Sequence, residues 1–371
     1  MYSSLRPVVL AFIASTRQLI NNSFTQYEPI GGKNGTMMRR TANKRVITIS
    51  AVAAGLLCFL IFHKFFGGGG GLFTSLPGGI FGAASADLAA RISLAERLWY
   101  QSRQDRLHMV SAMGTRKFPD AYIYPYHVWD YARPSWTCPW ELERVGSLGD
   151  GGKVVCGMSR YEKRSPGPSS SSNPAKELIV YSFGVSTDSS FEAALLDRLN
   201  ARIWGYDFSV NGWGAQIHGP QYSRAIFHKT GISNVTNKAG DPPMTKISDL
   251  MKENGHTYID IVKMDIEGAE FDSMTAWIND VKAEFGEGNN ATLPFGQLLI
   301  ELHFMPSPPK LHIPDNMTQW VNWWQSLEDM GLRPANNEAN WIGNNVYGKP
   351  RFMEYTLING LDHKRNLLLW D

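Results

Sequence analysis

The sequence predicts an α/β fold: a mostly parallel sheet covered on both faces by helices, preceded by one membrane-spanning helix and a stem. Three observations predict it. From Leu178 onward, short apolar runs alternate with helix-patterned segments, as crossover-connected strands require. Several of those runs end in glycine or in clustered acidic residues, where open α/β sheets hold their ligands. Far upstream, "VITISAVAAGLLCFLIF" at Val46–Phe62 carries no charge.

The N-terminal elements come first in chain order. Lys33, Arg39, Arg40, Lys44 and Arg45 precede the uncharged run, and only Lys64 lies between it and Arg91. The positive-inside bias makes residues 1–45 a cytoplasmic tail, 46–66 a signal anchor, and everything after it extracytoplasmic. At 1.5 Å per residue the run reaches roughly 25 Å, a short span that suits the thinner early secretory membranes. Its late start distinguishes it from a cleaved signal peptide. The expectation is a single-pass type II protein of the Golgi or endoplasmic reticulum with a lumenal domain. Asn234-Val-Thr, Asn290-Ala-Thr and Asn316-Met-Thr are glycosylation sequons in that domain; Asn21 and Asn34 also match, on the cytoplasmic side. Cys58 lies in the span. Cys138 and Cys156 remain, either a disulfide or two buried thiols. A net charge of +2 over 371 residues gives no support to nucleic-acid binding, and 43% apolar content supplies a real core.

Gly67–Gly71, with further Gly and Pro to Gly82, reads as a flexible stem. Ser85–Met113 reads as a helix with Leu88, Ile92, Ala95 and Trp99 on one face. That face suits a stem helix, a homodimer contact or packing on the domain. Residues 67–120 are therefore assigned to the stem and 121–371 to the lumenal domain. Tyr122–Trp140 reads as an irregular lead-in and Ser165–Pro174, "SPGPSSSSNP", as a low-complexity loop. Strands follow at Leu178–Phe183, Arg202–Phe208, Ala225–His228, Asp260–Ile266, Gln297–Phe304 and Phe352–Ile358. Helices are expected at Phe191–Leu199, Ser248–Asn254 and Trp320–Met330.

The chemistry gathers at strand ends. Gly184 closes the first strand, where a bare backbone admits a ligand, and Asp188 and Glu192 open the next helix. In "RIWGYDF", Asp207 ends the second strand, where a carboxylate can accept both ribose hydroxyls of an adenosine ligand. A full G-x-G-x-x-G is missing, which favours a nucleoside ligand without a diphosphate. "YIDIVKMDIEGAEFDSM" places Lys263, Asp265, Glu267 and Glu270 at one strand end. Glu301 and His303 end the next strand, two apart and on one face. Asp265, Glu267, Glu301 and His303 could together supply a general base or a divalent-metal site. Trp320, Trp323 and Trp324 at helical spacing read as core, with a stacking platform as the other option.

"DIVKMDIEGAE" resembles the signature of FkbM-type methyltransferases, which use S-adenosylmethionine. "YSFGVSTDSSFE" and "RVGSLGDGGKVVC" resemble a membrane-anchored, methyltransferase-like branch of eukaryotes. The resemblance covers roughly Cys138–Ile358. It departs from the commoner D-x-G-x-x-x-G, with Ser186 where glycine is expected. It implies a Rossmann-like seven-stranded sheet with its last strand antiparallel, and hence one more strand at Leu332–Asn336. It makes Gly184 the cofactor-loop glycine, Asp207 the ribose carboxylate and Asp265 the residue beside the sulfonium. Gly149–Gly152 reads as a tight turn: a plain hairpin, or a loop folded over the cofactor with Asp150 near the methionine amino group.

The expected site thus comprises Gly184, Asp188, Asp207, Asp150 and Asp265 for the cofactor. Asp265, Glu301, His303 and Lys263 are the catalytic candidates. The expected function is methyl transfer from S-adenosylmethionine to a hydroxyl of a glycan, with lipid and protein acceptors as the other choices in that compartment. A catalytically inactive binding module is the alternative. An NAD-linked oxidoreductase is disfavoured by the missing diphosphate glycines.

Overall fold

A computed structural model describes residues 85–113, 128–170, 176–286, 291–304, 311–347 and 351–371. The tail and signal anchor (1–66), the glycine stem to residue 84 and the sequons at Asn21, Asn34 and Asn290 lie outside these residues. So do the start of the lead-in and the end of the low-complexity loop. No helix among the described residues is long and apolar enough to cross a membrane. Residues Gly79–Asp371 form one compact unit.

In chain order, α1 (Ala86–Met113) is followed by the hairpin β1 (Leu142–Val145) and β2 (Lys153–Cys156), then α2 (Met158–Arg164), β3 (Leu178–Phe183), α3 (Ser190–Arg198), β4 (Ala201–Tyr206) and β5 (Ala225–His228). Next come the short β6 (Gly231–Ile232) and β7 (Met244–Thr245), α4 (Ile247–Asn254), β8 (Ile259–Met264), α5 (Glu270–Phe285) and β9 (Phe295–His303). The chain ends with α6 (Met317–Asp329), β10 (Leu332–Ala339), α7 (Trp341–Tyr347) and β11 (Phe352–Asn359). Seven strands form one sheet in the order β10-β11-β9-β8-β3-β4-β5. β11 runs antiparallel to both its neighbours, and the pairs from β9 to β5 are parallel. The expected seven strands, the antiparallel last strand and the added strand at Leu332 are all present.

Side-chain alternation along each strand feeds two cores, one per face. On β3, Val180 joins Phe191 and Leu195 of α3, whereas Tyr181 and Phe183 join Phe271 of α5 and Trp320 of α6. Strand order reverses between β3 and β8, so the helices after them leave on opposite faces and open a crevice at the strands' carboxyl ends.

Of the three options for α1, the structure takes packing on the domain. Leu88, Ile92, Ala95 and Trp99 are buried, and the Trp99 indole donates to Glu328 of α6 at 3.1 Å. Trp320, Trp323 and Trp324 are buried too, and their indoles donate to Val128, Phe271 and Glu328. They are core, and the stacking-platform option falls. The sequence reading places no helix after the "DIEGAE" motif, yet α5 runs 16 residues there. Its buried Phe271, Met274, Trp277, Ile278 and Val281 recur at helical spacing. Cys138 and Cys156 are disulfide-bonded, tying β2 to the segment before β1.

Candidate active site

β3 delivers the first half of the site. Gly184 leaves it with φ +75°, and a Cβ there would lie 1.7 Å from the Asp265 carbonyl oxygen. Only glycine allows the β3 and β8 exits to lie this close. The contact is fixed from both sides: Gly184 N–H donates to Tyr206 O and Asp265 N–H to Phe183 O, each at 3.0 Å. Lys263 donates its ammonium to the Gly184 carbonyl and lies 4.0 Å from Glu192, which is buried and accepts from Ser182. Lys263 therefore clamps the loop from below. One of its three N–H donors goes to that backbone oxygen, and the side chain also lines the cavity.

Ser186 answers the missing glycine. It adopts φ +53°, a left-handed conformation costing a non-glycine residue about 1–2 kcal/mol. Its N–H donates to Asp207 Oδ2 at 2.8 Å, which helps to hold the turn. The other Asp207 oxygen accepts from the backbone and hydroxyl of Ser209, both at 2.7 Å. Burial alone would raise the Asp207 pKa. These bonds and Lys263 outweigh it and keep the group below the usual carboxylate range. Asp207 is thus a firmly ionised acceptor at the end of β4. Asp188 accepts from Ser190 N–H at 2.8 Å and from the Ser147 hydroxyl at 3.1 Å. A Cβ on Gly151 would fall 2.2 Å from its Oδ2, so the β1–β2 turn rests directly on Asp188. The glycine-rich segment is therefore a hairpin whose turn lies against the β3 exit.

β8, β9 and β11 deliver the second half. Asp265, Glu301 and His303 converge as their spacing predicts. His303 Nδ1 lies 3.0 Å from Glu270 Oε1. Its Nε2 faces Asp265, Glu301 and Glu267 at 3.7, 3.8 and 3.8 Å. Burial disfavours the imidazolium, but Glu270, Asp265 and Glu301 override it and push the His303 pKa up to about 10. Asp265 also receives Lys153 Nζ at 3.1 Å. Desolvation is outweighed by Lys153, Lys263 and His303, which hold it down at about 2. Glu301 is pushed the other way, up to about 8, by burial and then by the Asp265 charge.

One cavity of about 320 Å³ joins the two halves, and every expected site residue lines it: Gly184, Asp188, Asp207, Asp150, Lys263, Asp265, Glu267, Glu301 and His303. A larger cleft of about 740 Å³ lies by α4 and α5, at the amino ends of β8 and β9, away from all of them. Sequence reasoning missed Lys153, Glu354 and Asn340. Lys153 on β2 is almost fully buried and is shared by Asp265, Glu354 and, at 3.9 Å, Glu301. It stands inside the quoted "GGKVVC", so a signal existed. Glu354 faces Glu301 only through the β11–β9 register, which local sequence does not contain. Asn340 donates to Glu301 at 2.8 Å and to Asp150 at 3.1 Å. Glu270 stood in the motif; its role as the His303 partner appears only in three dimensions.

Asp207→Ala should weaken S-adenosylmethionine binding at least tenfold while the melting transition stays cooperative. A charge-assisted hydrogen bond is worth about 1.5–3 kcal/mol. Calorimetry on the folded variant checks this, and an unchanged dissociation constant removes Asp207 from the site.

Residues 94–349 match the family described as "Methyltransferase domain". No curated protein matches the sequence. Among solved structures the chain is similar to a Methanococcus jannaschii fibrillarin pre-rRNA processing protein, with 9% identity, TM-score 0.28, and coverage of 65% of this chain and 87% of that one. It is also similar to Aeropyrum pernix fibrillarin with natively bound S-adenosyl-L-methionine, with 12% identity, TM-score 0.25, and coverage of 54% and 73%. A third is Burkholderia thailandensis 1,6-didemethyltoxoflavin-N1-methyltransferase with bound S-adenosylhomocysteine, with 10% identity, TM-score 0.27, and coverage of 50% and 72%. These likenesses are too distant to carry any residue role to this chain.

Proposed function

Because this chain belongs to the methyltransferase-domain family, it is an S-adenosylmethionine-dependent methyltransferase, and we propose that it methylates a hydroxyl group of a glycan. The observation that carries the reading is that one cavity holds two chemically different sets of groups. The Gly184–Ser186 turn and ionised Asp207 suit an adenosine: a backbone without a side chain at the closest approach, and a carboxylate for vicinal hydroxyls. The exits of β8 and β9 add acid-base groups to the same cavity, Asp265, Glu301 and His303. When bound, the cofactor supplies a methyl group already activated on a sulfonium. What remains for the protein is to align the acceptor and take its proton. Glu301, with its raised pKa and near-complete burial, suits the proton acceptor. His303 and Lys153 supply positive charge beside it.

A divalent ion is the other reading of these groups. Asp265, Glu267 and His303 place ligand atoms within 4.8 Å of one another. Lys153 already serves Asp265 as a cation at 3.1 Å, and His303 Nδ1 is already paired with Glu270 at 3.0 Å. We therefore expect transfer of labelled methyl to a glycan, in a screen of glycans, lipids and proteins, at a rate unchanged by EDTA. A rate that collapses with EDTA and returns with magnesium or manganese reverses the metal assignment. Label entering only proteins or lipids reverses the acceptor class.

We further propose a single-pass type II topology with residues 67–371 in the lumen of the Golgi or endoplasmic reticulum. The uncharged Val46–Phe62 run with basic residues before it supports this, as does the Cys138–Cys156 disulfide, a bond of oxidising compartments. Asn234 is exposed as a glycan acceptor must be; Asn316 spends its carbonyl capping α6. Protease added to sealed microsomes should clip the first 45 residues and spare the rest. Digestion of the C-terminal domain instead overturns the orientation.

A further inference from the structure

Beside the cleft runs a second groove of about 460 Å³, and the two share Asp150 and Asn340. We propose that this groove is the acceptor subsite and that it takes a pyranose ring, stacked on Trp341, with its hydroxyls held by Arg144, Glu338 and Asp150. The proposal rests on the O-methylation reading and names where the acceptor sits.

The shape of α7 is the first argument. Two residues dock this short helix on the start of β11. A Cβ on Gly343 would fall 2.6 Å from the Phe352 ring. Asn344 is buried, and its amide exchanges hydrogen bonds with the Phe352 backbone at 3.0 and 3.1 Å. Docked this way, the helix turns its large apolar side chains outward, with Trp341 72% exposed. An indole held on a fixed helix at the lip of a polar groove is a flat, rigid platform, apolar on its face.

Charge is the second argument, and it selects the ligand. Arg144 pairs with Glu338 at 3.0 Å and also donates to the Gly149 carbonyl at 2.6 Å. Glu354 is held by Lys153, and Asp150 receives Asn340. Each carboxylate of the groove already has a cation or an amide on it. A cationic amine would therefore find two of the three carboxylates, Glu338 and Glu354, already paired with a cation. An alkyl chain would strand the polar wall without partners. A neutral ring with one apolar face and vicinal hydroxyls uses both surfaces, because paired guanidinium and carboxylate groups retain free donor and acceptor positions.

The third argument is the partition. Asn340 is fixed three ways: its carbonyl accepts from Gly343 N–H at 3.0 Å, and its amide donates to Asp150 and to Glu301. An acceptor bound at Trp341 therefore reaches the cleft across Asp150 and Asn340, and Glu301 accepts from the Asn340 amide on the cleft side. Recognition and proton removal are joined by one side chain.

The test uses the full-length chain in detergent and saturation-transfer NMR. The probes are the methyl pyranosides of glucose, galactose, mannose, N-acetylglucosamine and xylose, with spermidine and decanol as comparators. At least one pyranoside should show ring-proton saturation. Trp341→Ala should weaken it about tenfold or more, as loss of a central aromatic anchor does. Trp341→Phe should stay within about threefold, because a stacking face remains. S-adenosylmethionine affinity should be unchanged in both variants, which also reports that they are folded. No pyranoside response overturns the proposal, as does one indifferent to Trp341→Ala, or a Trp341-dependent response to spermidine or decanol instead. The same pyranosides are then offered with labelled cofactor. Trp341-dependent binding without methyl acceptance sinks the O-methylation reading and leaves the subsite standing. Transfer at the native KM in Trp341→Ala does the reverse.

Discussion

Gly184→Ala should abolish measurable S-adenosylmethionine binding and destabilise the domain. Two costs add. An alanine at φ +75° carries the left-handed penalty of about 1–2 kcal/mol. Its methyl must also displace the Asp265 carbonyl, 1.7 Å away, and overpacking of this kind costs about 1–3 kcal/mol more. The obstruction is backbone, so no rotamer change relieves it. Moving Asp265 disturbs its bond to Phe183, its pairing with Lys153 and the Lys263 clamp on the same turn. The control is Gly149→Ala. That glycine also has a positive φ, +92°, but a Cβ on it meets nothing within 4 Å. It should lose only the conformational term of about 1–2 kcal/mol and keep cofactor binding. Denaturant melts and calorimetry on both variants read the difference. A Gly184→Ala protein that binds S-adenosylmethionine with native affinity shows that the β3 exit is not the cofactor loop.

The contrast between these glycines also shows what a sequence can tell. Gly184 was legible because it ends an apolar run whose neighbours are apolar as well, so a strand end was the only reading. The residues at the ends of β4, β8 and β9 were legible for the same reason: two-residue alternation fixes which side chains share a face. Glu354 and Asn340 were not. Both belong to the antiparallel edge of the sheet, where the β11–β9 register and the hairpin contact are settled by partners more than 30 residues away. Lys153 sits between. Its motif was visible, but a lysine after two glycines reads as exposed until three carboxylates surround it. α5 was missed although its apolar spacing is helical, because its first residues were read as a chemical motif. The protein uses them as both: Glu270 starts the helix, accepts from Ile266 N–H, and holds His303.

Glu301→Gln should leave S-adenosylmethionine affinity intact and lower methyl transfer about 10²–10⁴-fold, the usual worth of a general base. The direction of its pKa sets the pH profile. Burial and the Asp265 charge raise Glu301 to about 8, so it is mostly protonated at pH 7 and ionises as pH rises through 8. A base must be ionised to accept a proton, so kcat should climb with pH and level off above about 8, and this limb should vanish in Glu301→Gln. His303 takes a different part. Held up at about 10 by Glu270 and the carboxylates around it, it stands in this reading as a cation beside Glu301. Removing that charge in His303→Ala removes an influence that lowers the Glu301 pKa. The alkaline limb should therefore move to higher pH, while a purely structural role would change the rate without moving the limb. If both variants turn over at the native rate, neither group handles the proton. Glu192 cannot replace them, since it is buried beneath the Gly184 turn between Ser182 and Lys263. The search for the base would then move to Asp150 or Glu267, two further carboxylates that line the cleft.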